Sequence, residues 1–177
     1  MDLFEAIEKR HSYRGGFLPE RIDRAALRRI VRAGLQAPSG CNAQTTGWLI
    51  VDDAALISGI ADIVGGERNV RGAPAVLVGL MDPKPAWENI SFGVEDYAAS
   101  AENVLLAVTA LGYATVWLYG VLRRDGRAER IAEILGVPAD LKVRLILPVG
   151  RPAAAGTQRE KKPFSERAWF NRYGSGG

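Results

Sequence analysis

Apolar and polar positions along this chain follow two different periods, and the switches between them mark its elements. Asp2-Leu3-Phe4-Glu5-Ala6-Ile7 has helical spacing and opens on an Asp three residues before a Glu, the spacing of a capping box. Asp23 can cap a second helix with Leu27, Ile30, Val31 and Leu35 on one face, ended by Pro38. Residues 48–51 (WLIV) read as a short buried strand. Leu56, Ile60, Ile63 and Val64 mark a helix closed by Gly65-Gly66, and residues 75–80 (AVLVGL) a second buried strand. Residues 81–90 hold Pro83, Pro85 and Trp87 and read as a loop. A long helix follows, with Tyr97, Ala101, Val104, Leu105, Val108 and Leu111 on one face. Ala98, Ala99, Ala107 and Ala110 on its other side predict burial on more than one side. Gly112 stops it. Residues 114–119 read as a third strand running into Gly120, 125–135 as a surface helix ended by Gly136 and Pro138, and 143–149 as a fourth strand. The polar, basic remainder carries an ordered piece around 164–170 and a flexible tail over 171–177.

The alternation of helices and strands fits a doubly wound parallel sheet, but periodicity leaves the strand order open. No G-x-G-x-x-G follows the first strand, and no G-x-x-x-x-G-K-[ST] occurs, so neither Gly-rich nucleotide route is present. The 177 residues suit one domain, without repeat or linker. Cys41 is the single cysteine and His11 the single histidine. Disulfides, cysteine metal sites and zinc or non-haem iron centres are therefore not expected, and a Ser-His-Asp relay would have to be built on His11, among arginines. No apolar run reaches a membrane span, and the N-terminus lacks a signal-peptide core, so a cytoplasmic protein without membrane partners is expected. The formal charge of +3 suits an anionic ligand. Arg21, Arg24, Arg28, Arg29 and Arg32 read as one solvated helix face, and no RNP-like aromatic-basic stretch is present, which argues against nucleic acid.

Two short segments carry the candidate chemistry. Arg10-His11-Ser12-Tyr13-Arg14 places two guanidinium groups and a hydroxyl within five residues, a donor set for phosphate or carboxylate. Ala37-Pro38-Ser39-Gly40-Cys41-Asn42-Ala43-Gln44 follows the second helix. Taken alone it is a turn composition, though its small residues would also let a backbone approach a flat ring. Together, R-x-S-x-R and A-P-S-x-x-N-x-Q resemble the FMN-dependent nitroreductase family. The resemblance extends to the long helix, to Leu118-Tyr119-Gly120 and to the basic segment before Pro163. One departure follows Gln44: the family usually has Pro and an aromatic where this chain reads Thr45-Thr46-Gly47-Trp48.

The resemblance implies an α+β nitroreductase-like fold: one domain over 1–177, a central, mostly antiparallel sheet flanked by helices, and an intertwined homodimer with FMN at the interface. It implies that Arg10 and Ser12 hold phosphate or ribityl oxygens, that His11 adds backbone or ring contacts, and that Arg14 lies at the N1/O2 edge of the flavin. It implies that Pro38, Ser39, Gly40, Asn42 and Gln44 reach the flavin of the second subunit, and that Leu118, Tyr119 and Gly120 run along the ring. Arg159 and Lys161 would close the phosphate site, with Arg151 as the alternative, and Asn69 matches a looser polar contact. Cys41 would be a bystander. No protein acid or base is needed, because the chemistry belongs to the cofactor. The implied activity is electron transfer from NAD(P)H to nitroaromatic or quinone-type acceptors by a ping-pong mechanism, in a pocket left open by the short 81–90 segment. The rivals are a flavin-fragmenting or reductively dehalogenating enzyme on the same scaffold, and a non-catalytic flavin-binding protein.

Overall fold

A computed structural model describes residues 1–175; residues 176 and 177, the end of the expected tail, lie outside the described residues. Ten elements follow in order: α1 (Leu3–Lys9), α2 (Arg24–Leu35), β1 (Thr46–Val51), α3 (Ala54–Ile63), α4 (Arg68–Arg71), β2 (Ala75–Met81), α5 (Gly93–Ala110), β3 (Ala114–Thr115), α6 (Arg127–Ile134) and β4 (Lys142–Gly150). The four strands form one sheet in the order β1-β2-β4-β3, with every pair antiparallel. Strand order and direction, which periodicity left open, thus exclude the doubly wound parallel arrangement.

The sheet lies between two helical layers. On one face Leu77, Leu145 and Leu147 meet Leu27, Ile30, Tyr97, Ala101 and Val104 of α2 and α5. On the other, Val76, Val78 and Ile146 meet Ile57, Ile60, Val70 and Ile131 of α3, α4 and α6. This explains the unbroken apolar run of β2. It is an inner strand, covered on both faces, and all seven of its residues are buried. β1 is an edge strand, so of residues 48–51 only Val51 is buried, and pairing begins two residues earlier, at Thr46. The helical faces shift slightly from expectation. Leu35 and Leu56 are exposed, while Gly34 and Ile57 are buried. The four-residue α4 carries too few positions for a periodic signal.

Local chemistry sets the helix ends. Asp2 Oδ1 accepts from the Glu5 N–H at 2.9 Å. The reciprocal half of the capping box is absent. Glu5 pairs with Lys9 at 2.5 Å instead, and that ammonium holds its carboxyl below the ordinary value. The arginine face of α2 is exposed as expected, but Arg24 forms a two-pronged pair with Asp52, at 2.6 and 2.9 Å.

The third strand is shorter than residues 114–119. Regular pairing stops after Thr115. Leu118 and Ile146 exchange both backbone hydrogen bonds at 3.1 Å. Between these points the register sets Val116 opposite Pro148, which has no N–H to donate, so the ladder is interrupted there. The chain then turns at Gly120–Arg123. In the single chain the alanine side of α5 is open, with Ala98 and Ala110 exposed. Phe164 and Phe170 contact each other in the expected ordered piece of the C-terminal segment, ring centroids 6.3 Å apart.

Candidate functional site

The R-x-S-x-R segment leaves α1 and joins the open edge of the sheet. Ser12 bridges Thr115, and the Tyr13 N–H donates to the Thr115 carbonyl at 2.8 Å. Tyr13 is buried. Its hydroxyl donates to the Gly16 carbonyl at 2.7 Å and accepts from the Ala154 N–H at 3.3 Å. Locking the residue between them turns Ser12 and Arg14 outward on either side. The C-terminal strap then crosses this segment. Gln158 donates its side-chain amide to the carbonyls of Ile7, Glu8 and Arg10, capping the end of α1. Gly156 meets the His11 ring so closely that a Cβ there would stand 2.3 Å from Nε2.

These contacts close a cleft of about 490 Å³ lined by Arg10, His11, Ser12, Arg14, Arg159 and Lys161, with Thr157 and Gln158 between the two arms. Residues some 150 positions apart in sequence thus place three guanidinium groups and one ammonium around the hydroxyls of Ser12 and Thr157. Arg10 is oriented by Glu102 of α5, Nε to Oε1 3.3 Å. His11 faces inward: Nδ1 lies 2.9 Å from the Lys9 carbonyl, and Nε2 is buried without a partner. Its ring therefore braces the strap against the motif. Arg151 takes no part in the cleft; it pairs with Glu20 at 3.3 Å and stacks over Tyr113. Asn69 lies in α4, away from the lining.

The second segment forms a separate, strained loop. Cys41, Asn42 and Gln44 have φ of 51°, 54° and 51°, a left-handed region costly for side-chain-bearing residues. Asp96, in the first turn of α5, holds the loop in place. Its Oδ1 accepts from the Gly40 N–H at 2.8 Å and its Oδ2 from the Thr45 hydroxyl at 2.5 Å. The Gln44 N–H donates to Ser39 Oγ at 3.0 Å. Gly40 packs on the Phe92 ring, where a Cβ would come within 2.2 Å. The departure from the family pattern after Gln44 therefore supplies an anchor: Thr45 is the hydroxyl on Asp96. Pro38, Ser39 and Gln44 line a cavity of about 180 Å³, and Asn42 is exposed. None of the five expected residues of this loop lines the basic cleft of its own chain.

A sequence profile of the nitroreductase family matches residues 7–89 and 65–151, which covers both loops and most of the sheet. The chain belongs to the nitroreductase family. A relative from Archaeoglobus fulgidus, named as an NADH dehydrogenase/NAD(P)H nitroreductase, is 30% identical over 140 residues, 79% of this chain and 76% of that protein. Among solved structures, an FMN-dependent nitroreductase from Clostridium difficile superposes with a TM-score of 0.82 at 23% identity over 96% of this chain and 99% of that one. A nitroreductase from Desulfovibrio desulfuricans solved in complex with FMN gives 0.83 at 26% identity, covering 98% of each. The chain thus shares the fold of these neighbours, which with its own antiparallel sheet bears out the α+β expectation.

The third expected segment stands apart from the cleft as well. Leu118 packs beneath the sheet, Tyr119 is half-buried, and Gly120 is exposed with open space where a Cβ would project. Asp96, Gln158 and Gly156 escaped the sequence reading. Each acts by a contact more than fifty residues away, which no local pattern records. Among the described residues, no group of three His, Cys, Asp or Glu side chains is placed to hold a metal, and no helix is long and apolar enough to cross a membrane.

Proposed function

We propose that this nitroreductase-family chain is an FMN-dependent, NAD(P)H-consuming oxidoreductase that works as a homodimer in the cytoplasm. The observation that carries this reading is the basic cleft. Two distant segments converge on it with four cations and two hydroxyls, the donor chemistry a terminal phosphate requires. When bound there, FMN supplies the redox chemistry, passing electrons from NAD(P)H to nitroaromatic or quinone-type acceptors in ping-pong order.

The protein's own groups bind and orient. Arg10, Ser12, Arg159 and Lys161 hold the phosphate end, with His11 bracing the strap behind them. Arg14, exposed at the end of the motif, extends toward the N1/O2 edge, where a fixed cation favours the reduced, anionic ring. Leu118, Tyr119 and Gly120 form one wall of the ring site. Pro38, Ser39, Gly40, Asn42 and Gln44 serve the site of a second copy. Two features support the dimer: the 38–44 loop is built and anchored but absent from its own cleft, and apolar surface is left open. Leu3, Phe4 and Ile7 of α1 are exposed, Phe4 at 75%, beside the open alanine side of α5.

Denaturing the purified protein and chromatographing the released chromophore tests the cofactor. FMN is expected; FAD, or no flavin after incubation with excess FMN, overturns the proposal. Anaerobic bleaching by NADH or NADPH, followed by reoxidation with a nitroaromatic or a quinone, tests the reaction and separates it from simple flavin storage. Light scattering at micromolar concentration should give a dimer mass.

A further inference from the structure

A second large cavity lies outside the basic cleft, and a cation on its wall has no counter-ion among the described residues. It occupies about 560 Å³ between the Gly120–Arg123 turn, α6 and the start of β4, a size ordinary for small-molecule sites. Arg144 stands on its wall because of a register shift. Gly79 pairs with Leu145 while Leu80 pairs with Val143, so Arg144 is the extra residue of a β-bulge. Strict alternation back from Leu147 would aim residue 144 into the apolar layer of α3 and α6. The bulge returns Val143 to that layer and frees Arg144 to turn away.

Its guanidinium carbon lies 5.3 Å from the Tyr97 ring centroid and 5.2 Å from that of Tyr119. Nη2 donates to the Tyr119 hydroxyl at 3.1 Å, while Nε is buried with no acceptor. Among the described residues no carboxylate comes within 4.0 Å of it. Arg144 is half-buried: its Nε has lost water without gaining an acceptor, which is costly unless a ligand in the cavity supplies one. Arg123, 5.6 Å from the centre of the same Tyr119 ring, adds a second guanidinium to this end of the cavity.

We propose that this cavity binds an amphipathic monocarboxylate, its carboxylate on Arg144 and Arg123 and its apolar body on Leu122, Ala132, Val137 and Leu141. Arginine and carboxylate match as planar, two-pronged partners. Glu129 and Glu133 on the α6 side stand against Arg123, Lys142 and Arg144, so the lining carries one net positive charge and suits one carboxylate better than two. Tyr119 is the wall this site shares with the 118–120 segment, so a bound acid touches the proposed ring site through the Arg144–Tyr119 hydrogen bond. The site itself does not depend on the flavin reading.

Calorimetric titration of the purified protein, with and without saturating FMN, tests it with three probes of one shape: 2-naphthoate, neutral 2-naphthamide and naphthalene-2,6-dicarboxylate. The monocarboxylate should bind at least about ten-fold more tightly than either of the others, the range of one charge-assisted contact. R144Q should weaken 2-naphthoate by about ten- to a hundred-fold and leave the amide unchanged. R144K should recover part of the loss. A132F, which fills the cavity and keeps the cations, should abolish binding of all three probes, and it carries the test if R144Q fails to fold. Equal affinity for acid and amide overturns the proposal, as does undiminished binding by R144Q or A132F. One-for-one displacement of 2-naphthoate by FMN would make the cavity part of the flavin site and overturn it too. A chain that binds 2-naphthoate but no FMN would sink the flavin reading alone.

Discussion

Asp96→Ala is the substitution that most directly probes how this protein keeps its strained loop. The carboxylate is only 4% exposed and spans two donors, the Gly40 N–H and the Thr45 hydroxyl. Hydrogen bonds to an ionised acceptor contribute about 1.5–3 kcal/mol each, and water cannot replace them at a buried site, so the loss is bounded near 3–6 kcal/mol. The freed loop recovers part of this. Cys41 and Gln44 leave their left-handed conformations and each return on the order of 1 kcal/mol, whereas asparagine tolerates that region and Asn42 returns little. The expected cost is the difference, about 1–4 kcal/mol. Asp96→Asn can keep its oxygen on Gly40 and turn its amide toward Thr45, whose hydroxyl then accepts. It should cost about 1 kcal/mol, the loss of charge assistance alone. Urea unfolding at one fixed protein concentration measures both values, since a dimer's stability depends on concentration. Quenching of FMN fluorescence on the same samples should show weaker binding by the Ala variant and near-normal binding by the Asn variant. If the two substitutions cost the same, or if Ala costs under about 1 kcal/mol, Asp96 does not hold the loop.

Four further outcomes follow from the same structure. Gly156→Ala drives a Cβ into the His11 ring and should destabilise the strap by about 1–3 kcal/mol, a loss that His11→Ala partly rescues in the double variant; additive costs in a thermal-melt cycle would show that the two residues do not touch. Gln158→Glu sets a carboxylate against the carbonyls of Ile7, Glu8 and Arg10 and should weaken FMN binding more than Gln158→Ala does; equal dissociation constants would refute the clamp. Arg14→Ala should lower the bound flavin's reduction potential by tens of millivolts, from a loss of roughly 2–4 kcal/mol at about 30 mV per 1.4 kcal/mol, while oxidised FMN still binds; an unchanged potential in a spectroelectrochemical titration places Arg14 away from N1/O2. The hydrogen bond from Arg24 holds the Asp52 carboxyl below its ordinary value of 3.8, so the pair contributes stability above that pH and loses it as the pH falls through the depressed value. The melting-temperature gap between Arg24→Gln and the unaltered chain should therefore close in acid, and a gap that persists there would argue against the pairing.

Much of the helical layout was legible because its signals are local. Asp2 and Asp23 are side-chain caps within three residues of the N–H they accept from, so a short window of sequence contains the whole interaction. β2 announced itself by an unbroken apolar run, the mark of a strand buried on both faces. The third strand did not read correctly, because what ends it is Pro148 on the opposite strand rather than any residue of its own. The basic motif at residues 10–14 could be recognised as an anion site from composition. That Arg159 and Lys161 join it while Arg151 does not depends on the path of the strap, which Gln158 and Gly156 fix by contacts across the chain.

The sequence by itself determined where most helices lie and most of their buried positions, the caps at Asp2 and Asp23, the inner strands and the residue types able to hold a phosphate. All of these rest on interactions between near neighbours, where spacing is geometry. Only the tertiary structure decided strand order, the anchoring of the 38–44 loop by Asp96, the convergence of the two basic segments, and the bulge that re-aims Arg144. Each of these depends on which distant backbone lies alongside. That choice is made by burial of the two apolar layers together, and no single segment encodes it.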